Sequence, residues 1–174
     1  MQADILVSIL SAAWRTEPAG AEALVDRAAR AALGIAVPDR RRVVELGVRL
    51  TDNREMQALN REYRGLDRPT NVLSFPGDAD LSCEDARPAL LGDVVLAHDV
   101  VRSEAQAQGK AMADHLCHLT VHGVLHLLGY DHEIDSEAEA MEAAERRILK
   151  ELGIADPYAT PAMPVEDGQQ RPTG

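Results

Sequence analysis

His122 and His126 stand four residues apart in a stretch, Lys110 to Leu128, whose apolar residues run most of the way around a helix. Side chains at i and i+4 of a helix rise from one face, one turn apart, so two imidazoles at this spacing can share a metal ion. Gly129 then lets the backbone leave the helix, because glycine enters the positive-φ region without steric cost. The turn that follows can bring His132 back as a third ligand. Three protein ligands plus an open position is the donor set of a catalytic zinc, not of a closed structural one. The spacing therefore predicts one Zn2+ per chain, held by His122, His126 and His132. A single histidine on such a helix is more often a core residue; three in ligand register, with the glycine in place, favour metal. Asp131 adjoins the third ligand and is either an orienting or proton-accepting carboxylate or a plain turn residue. His118, one turn before His122, either supports the metal ligands from behind or, the favoured reading, is a structural histidine with a satisfied hydrogen bond. His115 is expected as half-exposed, and His98 as the end of a strand with no role of its own.

From His122 to His132 the chain reads H-G-V-L-H-L-L-G-Y-D-H. Metzincin peptidases carry H-E-x-x-H-x-x-G-x-x-H. The three ligand positions and the turn glycine coincide, but the Glu that serves those peptidases as general base is Gly123 here. The metal cradle is present and the peptidase base is missing, which argues against peptide hydrolysis.

The elements that must position this helix follow from periodicity. Asp4 to Leu10 reads as a short strand, and Ala19 to Leu33 as a helix stopped by Gly34. Val44, Leu46, Val48 and Leu50 alternate with Glu45, Gly47 and Arg49, the pattern of a half-buried strand. Asp52 and Glu55 form a capping box for a second helix, with Met56, Leu59 and Tyr63 on its inner face. Asn71–Phe75 and Leu91–Ala97 are the remaining strands, separated by an acidic loop. Asp99–Gln108 is helical, Lys110–Leu128 is the central helix, and Ser136 with Glu139 caps a last helix ended by Gly153. The order predicts an α/β (α+β) fold: a single compact domain over residues 1–154, a mixed sheet of about four strands packed with about five helices. Residues 155–174, rich in Pro, Gly and polar side chains, are expected as a loose tail.

Composition bounds the function. The chain has 174 residues, 45% hydrophobic and 27% charged, ordinary values for one globular domain. It shows no basic leader or membrane-length apolar run, and Cys83 and Cys117 form no CxxC pair, so a cytoplasmic location is expected. The net charge of −11 opposes binding of a phosphate backbone, which draws on Lys and Arg. However, Arg54, Arg61, Arg64 and Arg68 fall close together and can make a local basic patch on an acidic body.

The stretch from His122 to His132 resembles the signature of the YbeY family of rRNA maturation factors, zinc-dependent single-strand-specific endoribonucleases. Leu59 to Phe75 is similar to a second segment of that family, running from Leu-Asn through Tyr-Arg and Pro-Thr to Val-Leu-Ser-Phe, and Gly92-Asp93-Val94-Val95 is similar to its Gly-Asp-Ile-Val strand. The resemblance implies a mixed α/β layer fold and zinc on the three histidines. It implies Arg64 as the residue needed for RNA cleavage, single-stranded small-subunit rRNA as substrate, and the small ribosomal subunit as partner. The family usually has Asp where this chain has Asn71. The general base stays open among zinc hydroxide, Asp131 and the RNA 2′-hydroxyl. The competing readings are a non-catalytic, zinc-containing assembly factor and, behind it, a metzincin-like peptidase.

Overall fold

Alternation in the second strand sets the two faces of the sheet. Val44, Leu46, Val48 and Leu50 of β2 (Val43–Thr51) are buried on one face, while Glu45 and Arg49 look out from the other. The structure, a computed structural model, describes residues 2–37, 43–79, 81 and 88–159. Cys83, most of the acidic loop and residues 160–174 of the expected tail lie outside the described residues.

The elements run β1 (Gln2–Ile9), a 3-10 turn (Ala12–Arg15), α1 (Ala21–Ala36), β2, α2 (Asn53–Arg64), β3 (Val72–Pro76), β4 (Ala89–Ala97), α3 (His98–Ala107), α4 (Met112–Leu127) and α5 (Asp135–Glu151). The four strands lie in the order β1-β2-β4-β3. β1 and β4 run parallel to β2, and β3 is an antiparallel edge strand on β4. Among the described residues the sheet is mixed and packed with five α-helices, as the periodicity implied. Val25, Ala28, Ala29, Ala32 and Leu33 of α1 join Leu116, Val121, Val124 and Leu125 of α4, and Met141, Ile148 and Leu149 of α5, in one core against the inner face of the sheet. A smaller cluster, Met56, Leu73, Val95 and Ala97, seals α2 to the outer face. No helix of the described residues is long and apolar enough to cross a membrane.

Several local expectations give way to tertiary contacts. α1 continues through Gly34 to Ala36. The cost of a helical glycine, about 1 kcal/mol, is offset by burial of Leu33 and Val37 around it. The expected capping box is half formed: Asp52 Oδ1 accepts the Glu55 backbone N–H at 2.9 Å, but the Glu55 carboxylate turns to Arg49 and Thr51 instead. Ser136 and Glu139 do not cap α5, which starts at Asp135 without a side-chain cap; Asp135 and Glu137 in its first turn complement the helix dipole. Tyr63 is 62% exposed rather than buried, because at the end of α2 its ring reaches only Phe75 on the edge strand. The sequence did not foretell the 3-10 turn, which buries Trp14 so that its Nε1–H donates to Thr51 O at 2.8 Å.

Candidate metal centre

α4 brings the ligands together because it is buried on most sides. Its residue 123 is pressed against the sheet: a Cβ on Gly123 would lie 2.7 Å from Val94 Cγ1 and 3.2 Å from Val72 Cγ2. The Gly123 carbonyl accepts the Ser74 hydroxyl at 2.9 Å, which ties α4 to β3 at this point. Position 123 is thus a packing position with no room for a carboxylate. Its neighbours one residue back and three residues on, His122 and His126, rise toward the open side.

Past α4, Gly129 takes φ 92°, and the chain returns His132 to the same place. The Asp131 carboxylate accepts the His132 backbone N–H at 2.7 Å and so fixes this turn. The Nε2 atoms of His122 and His126 are 3.0 Å apart, and one nitrogen from each of the three imidazoles lies within 4.8 Å of the others. Ligand nitrogens on a tetrahedral zinc are about 3.3 Å apart, given Zn–N bonds of about 2.0–2.1 Å. Spacings from 3.0 to under 4.8 Å surround that value, so the donor set fits a metal ion. Burial first, then the neighbouring His122 and His132, lowers the His126 pKa below the ordinary imidazole value. A neutral ring is the form that binds metal.

A carboxylate that sequence reading missed stands behind the ligands. Glu145 is 0% exposed in the apolar stripe of α5, between Met141 and Ile148. Its Oε1 is 2.5 Å from His122 Nδ1, its Oε2 is 3.4 Å from His118 Nε2, and it accepts the Tyr158 hydroxyl. Burial pushes this carboxyl up, but the hydrogen bonds from His118, His122 and Tyr158 outweigh it and bring the pKa down to about 2. A carboxylate on Nδ1 fixes that nitrogen as the protonated one and leaves Nε2 for a metal. The signal available in the sequence was an acid at a core position of an amphipathic helix. Tyr158 belongs to the segment expected as a tail, of which residues 155–159 are described.

His118 has the hydrogen bond expected of it, to Glu145; His115 and His98 depart from expectation. His115 is buried, 4% exposed, with Nε2 at 2.8 Å from Glu104, not half-exposed. Burial lowers its pKa, and Glu104 only partly restores it. His98 opens α3, packs edge-on against Trp14 at 4.8 Å and reaches Glu17 O at 2.9 Å. Asn71 donates to the same Glu104, at 3.1 and 3.2 Å.

The imidazoles open into a cleft of about 360 Å³ lined by Arg64, Thr70, Asn71, Val72, Leu73, Ser74 and Pro76 together with His122, His126 and His132. Arg64, from the last turn of α2, thereby shares a wall with the three histidines. A larger hollow of about 530 Å³ on the outer face of the sheet, around Asp4, Leu6, Glu45 and Asp93, has no imidazole among its lining residues. Chemistry rather than size therefore selects the smaller one.

Fold and site together define a mixed four-stranded α+β scaffold with a cluster of three histidines that could hold a metal ion. The profile of the family described as Endoribonuclease YbeY matches residues 15–153. A Rhodopseudomonas palustris (strain HaA2) protein named Endoribonuclease YbeY is 53% identical over 158 residues, 88% of this chain and 80% of that protein. Another of that name from Azorhizobium caulinodans is 52% identical over 164 residues, 93% of this chain and 99% of its own length. The solution structure of TM1509 from Thermotoga maritima superposes with a TM-score of 0.51 at 23% identity, over 91% of this chain and 100% of that one, a likeness of fold. The chain belongs to the YbeY endoribonuclease family, as the resemblance in three segments implied.

Proposed function

We propose that this chain is a zinc-dependent, single-strand-specific endoribonuclease that works in the cytoplasm on small-subunit rRNA, in maturation of the 16S 3′ end and in ribosome quality control. Its partners on this reading are single-stranded RNA and the small ribosomal subunit with its proteins. The observation that carries the reading is the convergence of Arg64 with His122, His126 and His132 on one cleft. His122, His126 and His132 would hold the metal, which when bound supplies a Lewis acid for a phosphoryl oxygen and lowers the pKa of water to ~7. Arg64 forks two non-bridging oxygens of the phosphate, a geometry suited to a planar guanidinium. That contact strengthens as negative charge builds on the phosphoryl group in the transition state. Asp131 acts by holding the turn that presents His132. Glu145 keeps the His122 ring aimed at the metal. Packing at Gly123 leaves no place for the acid of a zinc peptidase, which supports RNA over peptide as substrate.

The test is cleavage of a labelled single-stranded rRNA fragment by zinc-loaded protein, with His126→Ala and Arg64→Ala in parallel. The expected outcome is loss of cleavage and of zinc in the first variant. In the second, zinc is retained and cleavage falls by about 100-fold or more, the scale of one lost transition-state contact. Zinc bound and small subunits engaged, with no cleavage by the parent protein, would replace this reading with a non-catalytic assembly factor. Full activity in Arg64→Ala would remove the role given to that residue.

A further inference from the structure

An acidic protein that takes RNA faces an electrostatic problem. Its net charge is −11, and affinity for the phosphate backbone comes from local cations. The exposed side chains of Arg54, Arg61, Arg64 and Arg68 supply such a patch on and just after α2. Arg61 shares its charge with Asp67 at 3.7 Å. A contribution that is not electrostatic would add to what this small patch supplies.

The chain has few aromatic side chains that could give one: one Trp, one Phe and three Tyr. Trp14 is 1% exposed, Tyr130 packs against the core, and Tyr158 is tied to Glu145. The remaining two, Tyr63 and Phe75, meet. Their rings are 5.0 Å apart at 68°, and Tyr63 is 62% exposed. The Phe75 contact braces the Tyr63 ring, while most of its surface stays open to solvent. Strand alternation puts Phe75 on the α2 side of the edge strand β3, against the cluster of Met56, Leu73 and Val95. Ser74 and Pro76 beside it, and Arg64 next to Tyr63, line the cleft with the histidines. The aromatic pair thus stands around the sheet edge from the cleft and adjoins it through Arg64.

We propose that Tyr63, braced by Phe75, is a stacking platform for an unpaired base of the RNA strand, beside the phosphate taken by Arg64. This rests on the nuclease reading above and adds to it a residue that selects single strands, since only an unpaired base can lay its face on a ring at a protein edge. Stacking accepts any base, so the platform fixes strand position without reading sequence.

The experiment measures equilibrium binding of a labelled single-stranded oligoribonucleotide, 2′-O-methylated to prevent cleavage, to the zinc-loaded protein and to Tyr63→Ala and Tyr63→Phe. A series of the same oligonucleotide with one abasic position at a time accompanies it. Metal content and thermal melting are matched for all three proteins. Loss of a base–aromatic stack weakens affinity about 5- to 150-fold, expected for Tyr63→Ala, while Tyr63→Phe stays within about twofold of the parent. An abasic site at one position, and only there, should abolish the difference between parent and Tyr63→Ala. Equal binding by Tyr63→Ala overturns the platform, as does a loss of the same size at every abasic position, which would mean that the ring acts through packing. If the parent itself fails to bind the single strand, the nuclease reading falls first and the platform with it.

Discussion

Glu145 shows how much a single side chain can decide at a candidate metal centre. A fully buried carboxylate survives in an apolar core only when its lone pairs are taken, and here two imidazoles and a phenol take them. The consequence for His122 is a fixed tautomer and ring orientation. Replacing Glu145 by Gln keeps the shape but removes the charge that holds the Nδ1 proton. Metal affinity is expected to fall about 10- to 100-fold, the usual cost of losing such a partner, read by competition with a chromophoric chelator. Unchanged affinity would mean that Glu145 serves the core alone. Nothing in the sequence around Glu145 resembles a motif; its partners come from α4 and from residue 158, and only folding joins them.

Helices and strands meet at two points that carry their own tests. α4 lies on the sheet at Gly123, where even a methyl group would collide with Val94. Gly123→Ala is expected to cost about 1–3 kcal/mol, the range for overpacking, visible as a lower midpoint in urea; an unchanged midpoint would show that α4 can shift. β3 is joined to α3 by Asn71, whose amide donates to Glu104. Asn71→Asp would set two carboxylates together and remove the donor, a loss of about 1–3 kcal/mol. A lower urea midpoint than that of the parent is expected, and an unchanged midpoint would contradict the account. Periodicity read these elements well: all four strands and the central helix lie within a few residues of expectation. Their ends were less legible. Gly34, Ser136 and Tyr63 each follow a local rule in the sequence, and each yields to what neighbouring elements bury or leave uncovered.

Across the whole molecule, the core shared by α1, α4 and α5 sets a pH limit on stability. Cys117 sits in it, 1% exposed, and burial pushes its thiol from 9.0 up to about 11. A group whose folded pKa is raised stabilises the fold below its unfolded pKa and loses that contribution as pH rises through the folded value. The window is therefore about pH 9 to 11, and the loss is roughly 3 kcal/mol for a shift of this size. Denaturant midpoints between pH 8 and 11 should fall more steeply for the parent than for Cys117→Ala. Parallel curves would show that the thiol does not contribute. The described segment after α5 also belongs to the globule, since Tyr158 stacks edge-on with His118 at 5.8 Å and lies under Arg146.

The candidate ligand set and the periods of the strands and helices are legible in local spacing, and the family resemblance in three short segments. Imidazoles four apart on a helix, a glycine three residues on and a strand alternation of two each follow from backbone geometry within a few residues, so they are present in the chain before it folds. What the site becomes depends on residues distant in sequence: Arg64 from α2 lining one cleft with His122 and His126 of α4, Glu145 from α5 behind His122, and Val94 from β4 filling the space beside residue 123. Those pairings are set by which apolar faces bury one another, a choice made by the whole core at once, and only the tertiary structure decides it.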